Sequence, residues 1–414
     1  MYAILTYILY FFIVLYILCL IIAKIYSPFW FHQPVYHIYE LYPLISFTKS
    51  PYIKQKRPPS HGTFCNTKEI VSSYIDEISD TLWSSIVFLL QGHYMDGQYM
   101  LHHVSVPTIR KLLYGKSFIS CFWEERIKES SWKSELDVEN LYGFLGSSPK
   151  VLHFLQYPEK NLIIHDMSQM CIHEKYKPRQ LIRQMIQTHI YHHRQRDPEI
   201  SGVYVFQKHK ELCKGIVPLV KYQIYTFVLR DTTIHKLPNY YSIRRLNATH
   251  IDVWKAIYVQ MTNQFDIALL PDMAYTLDWL KNERYFIYST VYREANVEQI
   301  HGVYFFEKTN ISWEEEDLEK PHMLRLAGSM IFGGHGHDDY KILFFRGFLN
   351  CLNDVLKDQK DCGILEVPCI SDNDILLVKW QAKYEMRNVT DCAYYLYNMV
   401  YPKSPILESK IIIL

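Results

Sequence analysis

The feature that most limits this chain lies near its start. Residues Ala3 to Ala23 carry no charged side chain and are almost all Ile, Leu, Phe, Tyr, Val or Ala. As a helix rising about 1.5 Å per residue, such a run matches the apolar thickness of a bilayer, about 30 Å. A secretory leader would open on basic residues, hold a shorter apolar stretch and end in a small-residue cleavage motif. This chain opens Met1-Tyr2 and places Lys24 directly after the run. The expectation is an uncleaved, single-pass transmembrane anchor over residues 1–25. No Lys or Arg precedes the run, whereas Lys24, Lys49, Lys54, Lys56 and Arg57 follow it. Basic residues stay on the cytosolic side of a membrane, so the rest of the chain is expected in the cytosol.

At 414 residues, the chain is too long for one ordinary core, and two domains or a doubled one follow. The net charge is +1 with no basic stripe, which excludes a nucleic-acid binder of the usual kind. Aromatic residues at 15% argue against disorder over most of the length. The nine cysteines are odd in number and include no CxxC pair. Free thiols in a reducing compartment fit that pattern. A monomer is expected.

After the anchor, prolines from Pro28 to Pro59 mark an extended, partly loop-like stretch. Apolar spacing then predicts a helix over Thr67 to Leu90 and another over Val106 to Tyr114. Strands are expected at Phe118–Trp123, Leu141–Leu145, Lys150–Leu155 and Met167–His173, then a helix over Arg179–His193. Strands return at Gly202–Phe206 and Tyr222–Leu229. Thr232 to Tyr240 reads as a linker. A similar order recurs after it: strand Ser242–Leu246, helices His250–Gln264 and Met273–Asn282, strands Tyr285–Tyr292 and Gly302–Glu307, helix Tyr340–Leu356, and strands Gly363–Val367 and Ala393–Val400. Two related α+β halves are therefore expected, over residues 26–235 and 236–414.

Four collinear segments carry a family resemblance: Phe29-Trp30-Phe31-His32-Gln33-Pro34-Val35, Cys171-Ile172-His173-Glu174-Lys175 with Tyr176-Lys177-Pro178-Arg179, Gln264-Phe265 with Trp279 on the following helix, and Tyr394-Tyr395-Leu396-Tyr397-Asn398. Together they make the chain resemble the protein N-myristoyltransferases from Phe29 to Leu414. The resemblance implies two acetyltransferase-like (GNAT-type) halves related by a pseudo-two-fold axis. It implies acyl-CoA, here myristoyl-CoA, as co-substrate in the first half, with no permanently bound cofactor. It also implies an acceptor peptide with an N-terminal glycine, held largely by the second half.

Residue roles follow from the same likeness. Lys175, Lys177, Pro178, Arg179, Gln180, Leu181 and Ile182 correspond to the turn and helix start that hold the CoA diphosphate. Unpaired amides and the dipole of a helix start favour an anion there, and Pro178 suits the first turn. Phe29 and Trp30 correspond to residues that line the CoA adenine. The backbone amides of Gln169 and Met170 correspond to an oxyanion hole, where a donor is worth about 3 kcal/mol. The carboxylate of Leu414 corresponds to the catalytic base, since an amine must lose a proton before it attacks a thioester. Asp96, Tyr204 and Tyr395 fall on the acceptor side. His189, His192 and His193 share a helical face, but no carboxylate or cysteine completes a ligand set, so no metal is expected.

The departures lie on the acceptor side. Tyr204-Val205-Phe206-Gln207 replaces a Tyr-Thr-Ala-Gly strand whose hydroxyl helps move the amine's proton. Met386-Arg387-Asn388-Val389-Thr390-Asp391 stands where the family has a Gly-Asp-Gly step. An inactive acyl-CoA or N-terminal-peptide binding protein of the same fold, or an acyltransferase for a small amine, fits these changes too.

Overall fold

The structure, a computed structural model, describes residues 2–40, 49–94, 100–123, 141–176, 180–210, 212–229, 236–294, 297–313, 322–333 and 338–414. The apolar run forms helix α1 (Tyr2–Tyr26), and none of its span from Ile4 to Tyr26 is buried against the protein. The helix is long and apolar enough to cross a membrane. A one-turn helix α2 (Pro28–Phe31) and strand β1 (Tyr52–Ile53) lead into the first half. That half contains β2 (Ile70–Tyr74), α3 (Asp80–His93), β3 (Met100–His102), α4 (Val106–Leu112), β4 (Phe118–Trp123), β5 (Leu141–Phe154), β6 (Leu162–Ile172), α5 (Gln180–Arg196), β7 (Tyr204–His209) and β8 (Val220–Val228). The second contains β9 (Tyr241–Leu246), α6 (Ile251–Gln264), β10 (Ile267–Pro271), α7 (Thr276–Lys281), β11 (Tyr285–Glu294), β12 (Val297–Trp313), β13 (His322–Ile331), α8 (Asp338–Asp358), β14 (Cys362–Pro368), α9 (Asn373–Trp380) and β15 (Met386–Tyr397). Strands β16 (Met399–Val400) and β17 (Ile411–Ile413) close the chain.

The strands join in the order β2-β4-β5-β6-β7-β15-β8-β14-β13-β12-β11-β9. Read from either end, the order is the same: β2 answers β9, β4 answers β11, and so on to β15 and β8 at the centre. A pseudo-two-fold axis therefore passes between β15 and β8, which pair antiparallel. Each half lends a strand across this axis, and each sends the strand between its first two helices to the long strand of the other: β10 pairs the far end of β5, and β3 pairs the far end of β12. Strand β17, parallel to β10, has no counterpart among the described residues and breaks the symmetry.

Helices cover the sheet because their apolar side chains recur at helical spacing. Helix α8 buries Phe344, Phe345, Phe348, Leu349, Cys351, Leu352 and Val355 against β11 to β14, and α5 buries Leu181, Met185, Ile186 and Ile190. Strands β4 and β14 are buried along their whole length, as expected of strands covered on both faces.

Three sequence expectations change. Residues 67–90 are not one helix: Ile70–Tyr74 pairs with β4, and the helix begins only after Ser79, whose hydroxyl caps Leu82 N at 3.3 Å. Apolar residues spaced by four satisfy either structure, and pairing with β4 decided it. The two strands expected between Leu141 and Leu155 are one strand, β5, which continues through an irregularity at Gly146–Ser148. Strands β1, β3, β10 and β13 and helices α2 and α9 went unrecognised.

Candidate active site

Each half ends in a parallel strand pair that opens into a V. In the first half, β6 pairs β7 at His165–Tyr204 and Asp166–Val205 alone among the described residues, although β6 runs on to Ile172 and β7 to His209. In the second half, β13 pairs β14 up to Arg325–Glu366 and then departs. Both openings start beside a bulge. On β6, Gln169 faces Gly146 while Asp166 faces Ser148, so Met167 and Ser168 together oppose Ser147. On β13, Gly328 faces Phe305 and Leu326 faces Phe306, which leaves Ala327 extra. An extra residue bends a strand and turns its edge.

The two openings differ in what fills them. The second is plugged by the chain itself. Ser371 N donates to Ile411 O at 3.0 Å and Ser329 N donates to Ser371 Oγ at 3.2 Å. Asp372 Oδ2 accepts from Ile331 N at 2.8 Å and from Gln264 Nε2 at 3.2 Å. Asn373 Nδ2 donates to Leu326 O at 3.2 Å and Pro368 O at 2.9 Å. Strand β17 lies beside this plug, with Leu414 N donating to Leu269 O at 3.0 Å and the Leu414 side chain against Gly328. In the first opening, by contrast, the free edge of β6 past Asp166 has no strand partner among the described residues. Tyr94 at the end of α3 reaches it, its hydroxyl 3.4 Å from Ser168 O. The side-chain oxygen of Gln169 is buried without a partner.

Between the openings, on the pseudo-axis, Tyr222 of β8 and Tyr394 of β15 stack with ring centroids 5.7 Å apart. Burial pushes the Tyr222 hydroxyl well above its ordinary range. Charged groups flank the pair on both sides. On one side Lys150 Nζ lies 2.7 Å from Asp166 Oδ2. On the other, Glu307 accepts from Arg284 at 2.7 Å and faces Arg325 at 3.7 Å, while Arg325 also meets Glu366 at 3.0 Å. Burial alone would raise the Glu307 carboxyl, but Arg284 and Arg325 outweigh it and hold it below the usual range. Burial also works against the Arg325 charge, and Glu366 and Glu307 more than offset it. These six charges pair with one another and balance, so they add no net charge beside the two tyrosines.

The expected site residues are distributed as follows. Gln169 and Met170 lie on the free edge of β6. Phe29 is 2% exposed and packs edge-on against Trp30 and Phe64. Trp30 stacks on Phe206 at 5.3 Å, and Phe206 on Tyr395 at 5.3 Å. Lys175 Nζ lies over the rings of Tyr142 and Tyr176, at 5.6 and 5.2 Å. Gln180 is exposed at the start of α5, Leu181 is buried and Ile182 half-buried. Lys177, Pro178, Arg179 and Asp96 lie outside the described residues. Leu414 is half-buried at the end of β17. Tyr204 and Tyr395 are buried, and their hydroxyls face inward: Tyr204 OH meets His193 Nδ1 at 2.9 Å, and Tyr395 OH accepts from Cys213 N at 3.0 Å. His189 bridges the hydroxyls of Ser120 and Ser147 at 2.9 Å each. Among the described residues no group of His, Cys, Asp or Glu is arranged to hold a metal.

Two of the sequence motifs turn out to grip each other. Tyr397 OH donates to Gln33 Oε1 at 2.8 Å, Asn398 N donates to Pro34 O at 2.8 Å, and Val35 bridges to Tyr397. The Gln-Pro-Val and Tyr-Asn segments are thus a clasp that holds the start of the soluble chain over β15. The residues that sequence reading missed are Tyr94, Lys150, Asp166, Tyr222, Arg284, Glu307, Arg325 and Glu366. Three of them leave a trace: Asp166, Arg325 and Glu366 are isolated charges in apolar strands, an arrangement that burial tolerates only when they are paired.

No protein-family model matches the chain, and no curated protein matches it. Solved structures do. Saccharomyces cerevisiae N-myristoyltransferase with bound myristoyl-CoA superposes with a TM-score of 0.68 at 12% identity, covering 92% of this chain and 90% of that one. A second structure of the yeast enzyme with myristoyl-CoA gives 0.64 at 12% identity, over 92% and 94%. A third, with myristoyl-CoA and inhibitors, gives 0.66 at 12% identity, over 92% and 91%. The chain has the N-myristoyltransferase fold, and at this identity the likeness is one of fold.

Proposed function

We propose that this chain is an acyl-CoA-dependent N-acyltransferase that moves a long acyl chain, myristoyl by resemblance, onto the N-terminal glycine amine of a peptide or protein. The observation that carries the reading is the asymmetry of the two openings. The second is filled by residues 371–373 and the last strand, while in the first the bulged edge of β6 meets no second strand among the described residues. An acyl thioester laid into the first opening would set its carbonyl oxygen toward the amides of Gln169 and Met170, which stabilise the developing oxyanion. Lys175, with Lys177, Pro178, Arg179, Gln180, Leu181 and Ile182, would hold the CoA diphosphate, and Trp30 the adenine. Phe29 would support Trp30 from the core.

In the chemical step, the Leu414 carboxylate takes one proton from the glycine ammonium. The freed amine attacks the thioester carbon, a C–N bond forms and the C–S bond breaks. The departing CoA sulfur takes the amine's second proton, and the carboxylate returns the first to solvent. The acceptor would lie over Tyr222 and Tyr394, and by resemblance Asp96 would contact it. The ion pairs beside these tyrosines cancel, so they make no demand for a basic acceptor peptide.

Helix α1 would hold the enzyme at a membrane with its soluble part cytosolic. That location suits a reaction whose products enter bilayers at about 0.8 kcal/mol per buried methylene. Protease protection in sealed microsomes tests the orientation; a protected large domain contradicts it. A second reading, an inactive acyl-CoA or peptide binder, is favoured by Val205, buried and apolar where a hydroxyl would carry the proton. Incubating the full chain in nanodiscs with labelled myristoyl-CoA and a panel of N-terminal glycine peptides separates the two. Transfer to free but not acetylated glycine supports the enzyme. Saturable acyl-CoA binding without product supports the binder.

A further inference from the structure

Beside the point where α1 meets the soluble domain lies a cavity of about 260 Å³. It has room for about eight methylene-sized groups, taking the about 30 Å³ that a water occupies as a guide. Ile38, Leu212, Cys213, Ile216 and Tyr395 line it, with Lys221 as its one charged residue among the described ones. The interior offers little to a polar ligand. The Tyr395 hydroxyl is occupied by Cys213 N, and burial pushes the Cys213 thiol up to about 11, so it stays neutral. The Phe206–Tyr395 stack stands between this cavity and Trp30, which sets it apart from the opening on β6.

Its position relative to the anchor identifies the ligand. Helical hydrogen bonding continues from α1 into α2, with Ser27 N donating to Ala23 O and Phe31 N to Ser27 O, both at 2.9 Å. The anchor therefore joins the domain without a free linker. Ser27 Oγ donates to Lys214 O at 3.3 Å, and Lys214 follows Cys213 in the chain. One residue spans at most about 3.5 Å, so the cavity wall begins a few ångströms from the end of the anchor helix. Burial, then Glu40 and then Tyr16 of α1 hold the neighbouring Tyr39 hydroxyl up at about 12. Ile38 itself is 67% exposed at the cavity mouth, as an apolar side chain facing lipid would be.

We propose that this cavity takes one acyl chain of an anionic phospholipid from the leaflet that meets the soluble domain, with Lys221 at the headgroup. The inference rests on the membrane anchoring proposed above. A lipid held there would fix the height and tilt of the domain, and hence the distance of the β6 opening from the surface into which acyl-CoA and acylated products partition. A free fatty acid shares the chemistry but not the source, and the test distinguishes them.

The full chain is reconstituted in phosphatidylcholine nanodiscs holding a tenth of phosphatidylglycerol with a chain-terminal diazirine. It is then irradiated and mapped by peptide mass spectrometry. Label is expected on α1, and also on the peptides containing residues 212–218 and Tyr395. Leu212→Trp, which fills the cavity from a half-buried position, should cut the second label at least fivefold and leave the first unchanged. Ile216→Trp does the same from the core and is read only if its melting transition is retained. Lys221→Glu should lower cavity labelling by the anionic probe severalfold, but not labelling by a phosphatidylcholine probe. A free diazirine fatty acid that labels the cavity more than the phospholipid does would overturn the source. Label confined to α1, or cavity label indifferent to Leu212→Trp, would overturn the site while leaving the anchor and the acyl transfer standing. Absence of label on α1 would instead refute the membrane reading.

Discussion

His189 offers a quantitative test of how the first half is built. Its ring is fully buried between Ser120 of β4 and Ser147 of β5, the strands that support β6. Burial, with His165 and His192 nearby, lowers its pKa from 6.5 to about 3. Between those values the folded protein holds fewer protons than the unfolded chain, so stability rises with pH. His189 therefore contributes stability that is complete above about pH 6.5 and is lost as the pH falls toward 3. At pH 5, about one and a half pH units below the unfolded value, the loss is about 2 kcal/mol, at about 1.4 kcal/mol per unit. Replacing His189 by Gln removes the titration and keeps a donor and an acceptor for the two serines. At pH 7.5 the variant should be less stable by about 1–3 kcal/mol, because the amide satisfies the hydroxyls less well. At pH 5 the deficit should shrink by about 2 kcal/mol. A domain of 414 residues less the anchor unfolds with an entropy of roughly 0.8 kcal/mol per degree, at about 2.1 cal/mol/K per residue. The difference in Tm between wild type and His189→Gln, read by circular dichroism on the full chain in detergent, should therefore narrow by about 2–3 °C from pH 7.5 to pH 5. An equal deficit at both pH values would refute a neutral buried imidazole at this position.

Further outcomes test the plug, the helix packing and the chain end. Burial raises the Asp372 carboxyl from 3.8 to about 7, so its contribution is present at acid pH and lost as the pH rises toward 7. Asp372→Asn should match the wild type near pH 4 and exceed it by up to about 4 kcal/mol above pH 7; a gap that does not widen with pH in thermal melts contradicts this. Gly347 in α8 would place an added Cβ 2.7 Å from the Tyr304 hydroxyl and close to Thr290. Gly347→Ala should cost about 1–3 kcal/mol, where an exposed helical site would gain up to about 1 kcal/mol, and a higher Tm would disprove the close packing. One glycine added after Leu414 moves the carboxylate by up to about 3.5 Å. Acyl transfer should then fall at least tenfold with acyl-CoA binding unchanged, and full activity would remove Leu414 as the base.

What the sequence determined by itself was local. The long apolar helix α1 could be read because hydropathy sums along contiguous residues, whatever the rest of the chain does. The repeated order of strands and helices could be read for the same reason, from periodicity within each segment. The resemblance across Phe29 to Leu414 gave the two-half fold, although two of its motifs prove to be a clasp, with Gln33 and Tyr397 joined across the length of the chain. Tertiary structure decided what depended on pairing. Residues 70–74 became strand because β4 was there to receive them. The last residues became a strand on β10 beside the plugged second opening, not a free end. Asp166 and Arg325, far apart in sequence, came to act on Tyr394, whose hydroxyl is raised first by burial and then by Asp166, with Arg325 opposing. None of these outcomes is encoded by neighbours in the chain. Each follows from a pseudo-symmetric sheet in which each half lends strands to the other, so that the site is built from residues that only strand order and register bring together.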